Sequence, residues 1–516
     1  MPPPTIYLLL IFSLLIPPHP TTADQSFISS LITQNGLDFV KNLLISKAIP
    51  TLTSTRIPKI EKTVRIPVIG KVHIVLSDIT INRVNVGLSN IKPDATGVTI
   101  FGSDVTCDLS TKWHYAYGTW VGPISISDSG TARVKVIGME TSIKLGLHNQ
   151  EGSLNLFVME CNCHMNDISI DLNGGASWLY QGVVDAFEEP IRSEVSKEII
   201  KKLKAGVLKL GSVVQSLPKL ISVDNIASLN TTFVNDPFLS DNSLGFGING
   251  LFVDSRKGNY LYGKKLQPPV SCSDPQKMVG IALDEAVFNS GFALYYNVTP
   301  QILYLFVFIN PHLLHMTDEN RLYCAIFMRW IVDKVPEQNL LNTAGWRFVV
   351  PQLYKKYPNA DMNLEISLSD PPIMHVSSQI IDATIYADLI IDVLQLDDRI
   401  PVACISLEMA GVGSVQITKN NLTGHLKLDD FTMSLKWSKI GTLHMFLIQP
   451  VMWTIIETVF VPYINARLGT GFPLPIFRGI NLQNAEILFK DSRITICSDF
   501  SYKEPFDQSH TLVYTS

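Results

Sequence analysis

LYQGVVDAFEEPIRSEVSKEIIKKLKAGV, residues 179–207, places an apolar residue at every fourth position: Leu179, Val183, Phe187, Ile191, Val195, Ile199, Leu203 and Val207. The spacing predicts a long helix, with Pro190 as a kink. On a helix of 3.6 residues per turn, a strict step of four advances about 40° at each repeat. The apolar stripe therefore winds around the rod instead of marking one side. A flat partner has no use for such a stripe, whereas a curved or rolled-up sheet follows it.

The tract before this helix has the period such a sheet needs. In KVHIVLSDITINRVNVGL (71–88), Val72, Ile74 and Leu76 face one way while His73 and Ser77 do not. ARVKVIGMETSIKLGLH and GSLNLFVME alternate in the same manner, as antiparallel strands with one covered face do. Upstream, residues 26–49 carry apolar residues at helical spacing and predict a helix that stops at Pro50. Pro218 and the polar run NDPFLSDNS (235–243) mark a boundary. The second half repeats the mixture: strands near 279–309, a helix near 338–357, strands through 361–437, an apolar helix over 448–468 and final strands over 480–502. Within HLKLDDFTMSLKW (425–437), the alternation slips once at Asp429–Asp430, which predicts a bulge. Strands followed by a long helix thus occur twice.

Of 516 residues, 46% are hydrophobic and only 17% charged, so much apolar surface must be covered or occupied. The net charge of −5 excludes a nucleic-acid binder driven by bulk charge. IYLLLIFSLLI (6–16), followed by PPHPTTA, has the length of a signal-peptide core and is too short to span a bilayer. Cleavage near Ala23 and secretion of a soluble protein are expected. Seven cysteines in an oxidising compartment predict some pairing and at least one free thiol. CNCH (161–164) lacks the second half of a zinc ligand set, so no metal is expected. Sequons at Asn230, Asn297 and Asn421 suit a glycosylated secreted chain.

Catalytic motifs are missing. There is no Gly-x-Ser-x-Gly elbow, phosphate loop or His-Glu-x-x-His pair. The carboxylates of DLIIDVLQLDD (388–398) are placed by alternation on the solvated side of a strand. Neither an enzyme nor a cofactor is expected.

GFPLPIFRGINLQNAEILF (471–489), YKKYPNADMNLEISLSDPPIMHV (354–376), VFNSGFALYY (287–296) and LTGHLKLDDFTMSLKWSKIG (422–441) together resemble one family. It is the family of bactericidal/permeability-increasing protein and lipopolysaccharide-binding protein, and the chain looks most like its plant members. GLDFVKNLL (36–44), CNCHMNDISIDL (161–172) and SWLYQGVVDAF (177–187) match more loosely. The resemblance implies an α+β fold, an elongated boomerang of two domains. In each, a strongly twisted antiparallel sheet wraps a long helix, and a central sheet joins them. It implies a signal peptide over 1–23, an N-terminal lipid-binding domain over 24–225, a linker and central sheet over 226–268 and a C-terminal lipid-binding domain over 269–516. It also implies apolar pockets for phospholipid acyl chains, recognition of bacterial lipopolysaccharide in innate defence, and work at a membrane surface. The alternative is a lipid-transfer carrier without lipopolysaccharide specificity. The disulfide usual in the family lacks its helix partner here. The expectation carried over is therefore that Cys107 pairs with Cys161 or Cys163, and more weakly that Cys404 pairs with Cys497.

Lipopolysaccharide recognition in the family uses cations at the far tip of the N-terminal domain. RIPKIEKTVRIPVIGK (56–71) carries Arg56, Lys59, Lys62, Arg65 and Lys71 against Glu61 alone. Such a run is ordinarily a solvated face, but five to one in a net-negative chain points as much to an anion site. The second tip segment, STKWHYAYGTW (110–120), keeps only Lys112 and is otherwise aromatic: Trp113, Tyr115, Tyr117 and Trp120. Two readings stand: ordinary sheet core, or, preferred, a membrane-facing tip whose rings enter the lipid interface. Residues 24–219 hold 20 basic and 18 acidic side chains, so the domain is far from strongly cationic.

Overall fold

The computed structural model describes residues 26–298, 302–305 and 342–503, apart from 54, 67–69, 119–124, 174–179, 255–269, 396–397 and 477–478. The signal-peptide segment and Trp120 lie outside the described residues.

The first described element is a strand, β1 (Ile28–Thr33), followed by helix α1 (Gln34–Leu52). The helical reading of 26–33 is thus corrected. These residues hydrogen-bond on both edges, to 243–248 on one side and 279–283 on the other, which a helix does not allow. Thr33 caps α1, its hydroxyl accepting from the Gly36 amide at 3.4 Å, and the helix continues through Pro50.

An open antiparallel sheet follows: β2 (Arg56–Ile57), β3 (Ile60–Ile66), β4 (Gly70–Asn85), β5 (Leu88–Asp94), β6 (Gly97–Gly118), β7 (Ser125–Gln150) and β8 (Ser153–Asn173). Its order is β2-β4-β6-β7-β8, with β3 also on β4 and β5 on β6. Register shifts interrupt β4, β6 and β7, and bulges of this kind bend and over-twist a sheet. The long helix α2 (Tyr180–Gln215) lies along β8 inside that curve. Phe187, Ile191, Val195 and Ile199 are buried in the main core. Further along, Val207 and Leu210 pack on a second cluster around Ile143, Leu145 and Leu156. The stripe winds from one cluster to the next, as the step of four predicts.

The connection carries β9 (Leu220–Ser222), β10 (Ala227–Asn230), β11 (Phe238–Ser240), β12 (Ser243–Ile248) and β13 (Phe252–Asp254), then β14 (Val279–Asp284). Residues 285–298 were expected as strand and form helix α3 (Glu285–Val298). Asp284 caps it by accepting from the Ala286 amide at 3.0 Å. Val287, Ser290, Gly291 and Leu294 are buried at the i, i+3, i+4, i+7 spacing of a helix face.

β15 (Ile302–Leu305) and the short α4 (Pro351–Lys356) precede the second large sheet. The helix expected near 338–357 is thus confined to its last turns among the described residues. That sheet comprises β16 (Asp361–Leu368), β17 (Ile373–Val376), β18 (Ile381–Gln395), β19 (Asp398–Thr418), β20 (Asn421–Ser438) and β21 (Phe472–Pro473). Asp429 is skipped in the register between β19 and β20, so the bulge falls where the alternation slipped. Asp392 departs from the solvated face expected of it: a register shift turns it into the interior, where Asn363 Nδ2 donates to its carboxylate at 3.3 Å. Against this sheet lies an apolar helix in three parts: α5 (Met445–Ile455), a π-helical turn (Ile456–Phe460) and α6 (Val461–Thr470). Gly471 ends it at φ +65°, a conformation for which glycine is suited.

β22 (Ile480–Lys490) and β23 (Arg493–Tyr502) complete a central sheet in the order β11-β12-β1-β14-β23-β22. Two domains of sheet and helix, joined by a sheet drawn from both ends of the chain, make up the α+β fold expected from the resemblance.

Candidate lipid-binding site

The inward faces of β4, β6 and β7 are built from Val72, Ile74, Leu76, Leu109, Val134 and Val136, all buried. α2 closes over them with Phe187 and Ile191. A cavity of about 10 Å³ remains between helix and sheet, lined by Leu76, Ala132, Val134, Phe187 and Ile191 among others. Thr111 supplies its polar atom, and that hydroxyl is spent on the Ser77 carbonyl at 2.9 Å. The space fits about one water. An acyl chain entering here must part α2 from the strands, and apart from Thr111 the walls it meets are hydrocarbon.

The described aromatics of the stretch, Trp113, Tyr115 and Tyr117, face this interior as sheet core. Trp113 is 4% and Tyr115 6% exposed, and Tyr117 is half-buried. Their rings stack in a row, with centroids 5.7 Å apart for Trp113 and Tyr115 and 6.3 Å for Tyr115 and Tyr117. The Trp113 indole donates to the Thr131 carbonyl at 3.2 Å and lies over Gly130, where a Cβ would come within 2.6 Å of the ring. The pairings Ile74↔Tyr115 and Leu76↔Trp113 explain the orientation. Directly paired residues share a face, and those of β4 are apolar and covered.

The cations do not form one cluster. Lys112 Nζ pairs with Asp78 at 2.9 Å, and its hydrogen bond holds the Asp78 carboxyl below its usual range, with Arg56 adding to the effect. Lys59 pairs with Glu61 at 2.7 Å, raising the ammonium and lowering the carboxyl. Lys62 reaches the helix instead, donating to the Ala186 carbonyl at 2.9 Å. Arg56 lies near Asp78 with no ion pair of its own among the described residues, and Arg65 and Lys71 remain. They are direct partners across β3 and β4, both exposed, on the outward face where these strands turn back. Among the described residues neither has an ion-pair partner. Like charges placed opposite each other repel, and a bound anion relieves that repulsion. By strand rise, Lys112 sits opposite a point about 20 Å further along β4 and Arg56 opposite one about 30 Å further.

The expected disulfides are corrected. Cys272 is bonded to Cys497, and Cys107, Cys161, Cys163 and Cys404 are free thiols. Cys107 lies on β6 and the other two on β8, with β7 between them. Two strand spacings make roughly 9.5 Å, beyond the reach of a disulfide. Burial pushes the Cys107 thiol up to about 12 and that of Cys163 up to about 11, so both are protonated at neutral pH. Cys404 is paired into the second large sheet between Ile390 and Trp437, away from Cys497 in the central one. The true pair left a local trace. Gly280 faces Cys497 across β14 and β23, and a Cβ there would lie 3.0 Å from the Cys272 sulfur. Of the sequon residues, Asn297 is exposed while Asn230 and Asn421 are half-buried.

Twisted antiparallel sheets closed over apolar helices, in two domains that share a third sheet, define a lipid-binding fold. The chain belongs to the LBP/BPI/CETP family: residues 36–217 match its N-terminal domain and 319–502 its C-terminal domain. It is 50% identical over 506 residues to a putative BPI/LBP family protein of Arabidopsis thaliana, covering 98% of each chain. It is 24% identical over 472 residues to the bactericidal permeability-increasing protein of Rattus norvegicus, covering 90% of each. A crystal structure of lipopolysaccharide binding protein superposes with a TM-score of 0.64 at 19% identity, covering 93% of this chain and 100% of that one.

Proposed function

We propose that this chain is a secreted lipid-binding protein that recognises the phosphates of bacterial lipopolysaccharide in innate defence, and takes acyl chains between α2 and the N-terminal sheet. The observation carrying this reading is the outward Arg65–Lys71 pair. Two facing cations without a carboxylate suit a phosphate, and the apolar interior suits hydrocarbon. Lys59, Lys62 and Lys112 contribute field more than contacts, since Glu61, the Ala186 carbonyl and Asp78 already engage them, and Arg56 adds to that field from near Asp78. Trp113, Tyr115 and Tyr117 act as inner wall. Relatives named for lipopolysaccharide binding support the ligand class.

The second reading, a phospholipid carrier without lipopolysaccharide specificity, is favoured by the near balance of 20 basic and 18 acidic residues over 24–219. Binding of purified lipopolysaccharide at low and high salt, by the native protein and by Arg65→Gln/Lys71→Gln, separates the two. Phosphate pairing predicts affinity that falls with salt and drops roughly tenfold or more in the variant. Equal, salt-insensitive binding by both proteins would transfer the assignment to the carrier.

A further inference from the structure

A second surface, in the C-terminal domain, has a composition that the lipid-binding interior does not account for. Segments 342–357 and 437–447 lie side by side: Lys356 Nζ donates to the Lys439 carbonyl at 3.1 Å and Gln352 Nε2 to that of Thr442 at 3.3 Å. Between them they present Arg347, Lys355, Lys356 and Lys439, and contain no aspartate or glutamate. They also expose large apolar side chains. Phe348 is 76% and Phe446 69% exposed, and Trp437 and Leu447 are each 38% exposed. The cations accompany the rings. The Arg347 guanidinium lies 4.6 Å from the Phe348 ring centre and Lys439 Nζ 5.6 Å from that of Trp437.

This surface is firmly mounted. Trp346, Val350 and Leu353 beneath one segment, and Ile440 and Leu443 beneath the other, are buried in the core of the second large sheet. Phe446 and Leu447 open the helical run Met445–Thr470, which is apolar and long enough to cross a bilayer, yet only 33% of its most apolar window is buried. At the margin Lys436 is paired with Asp388 at 2.6 Å, and Asp361 accepts from Asn342 at 3.1 Å.

We infer that this face docks the C-terminal domain onto an anionic lipid bilayer, with Phe348, Trp437, Phe446 and Leu447 entering the headgroup region and Arg347, Lys355, Lys356 and Lys439 meeting lipid phosphates. Aromatic rings at the interface, ringed by cations and free of carboxylates, match a bilayer with negative surface charge. A protein partner would leave the acyl region out of reach, which makes it an outcome of the test. The inference is independent of lipopolysaccharide recognition, so the probe contains none.

The test is co-sedimentation of the full chain with vesicles of phosphatidylcholine alone, or of equal parts phosphatidylcholine and phosphatidylglycerol. The variants are Phe348→Ser/Phe446→Ser, Arg347→Gln/Lys355→Gln/Lys356→Gln and, as a control at two exposed cations of β7, Arg133→Gln/Lys135→Gln. Trp437 is followed by quenching from brominated acyl chains, read as the difference from Trp437→Phe. Binding to the anionic vesicles is expected to fall on the order of a hundredfold in the triple glutamine variant at low salt. It is expected to persist in the control, and brominated lipid is expected to quench Trp437. If the double serine variant fails to fold, the glutamine variant and the quenching carry the decision. Absence of vesicle binding, binding without Trp437 quenching, or loss in the control variant alone would each overturn the inference.

Discussion

Asp94 shows how one residue sets a response to acid. Lys144 Nζ donates to its carboxylate at 2.8 Å, and the hydroxyl and amide of Thr96 donate as well. These bonds, that of Lys144 foremost, hold the carboxyl well below its usual range. A carboxyl depressed on folding contributes stability above its unfolded value of about 4, and loses it as pH falls through the folded value. Asp94→Asn should therefore unfold more easily than the native protein at neutral pH, and the two should converge as the solution is acidified well below pH 4. Thermal unfolding across that range is the measurement; a constant gap would refute the linkage. Trp113, Tyr115 and Tyr117 show where reading by residue stops. Alternation put them on one side of β6, and they are on one side. Which side faced the helix was settled by pairing with Ile74 and Leu76, and register across 40 residues is not written in either strand alone.

Among the elements, α2 was the most legible. Its step of four named Phe187, Ile191, Val195 and Ile199, all of them buried. Ile191→Ala is expected to cost about 2–5 kcal/mol, a value typical of buried large-to-small changes. Leu208→Ala, at a side chain 68% exposed, should stay within about 0.5 kcal/mol. Chemical denaturation of both tests whether the stripe or mere hydrophobicity matters; similar losses would defeat the winding-stripe account. Misreadings fell on short apolar elements. Residues 28–33 have helical spacing but are claimed by strands on both edges, and 287–296 look β-rich but follow a capping aspartate. Tertiary pairing overrode local preference in the first case. In the second, the Asp284 cap was present in the sequence and outweighed the aromatics.

For the whole molecule, the central sheet matters most, and it was the least visible part. Cys272 and Cys497 are separated by 225 residues, and only the assembled register brings them together. Cross-linking so long a loop is worth on the order of 5 kcal/mol in the chain-entropy account, and removals typically cost about 2–5 kcal/mol. Cys272→Ser, or mild reduction of the native protein, should lower the unfolding midpoint accordingly, with calorimetry as the readout. An unchanged midpoint would show that the sheet holds without its staple.

β23 lies between β14 and β22, and β14 pairs β1 on its other side. In time, this arrangement imposes an order of birth. As the polypeptide is synthesised, β1 emerges early and β14 much later, but one edge of β14 stays bare until residues 493–502 have been made. A message cut short ahead of that point yields a product with both large sheets and an open seam, the kind of edge that recruits other chains. Cellular quality control would meet this protein chiefly as an unfinished central sheet.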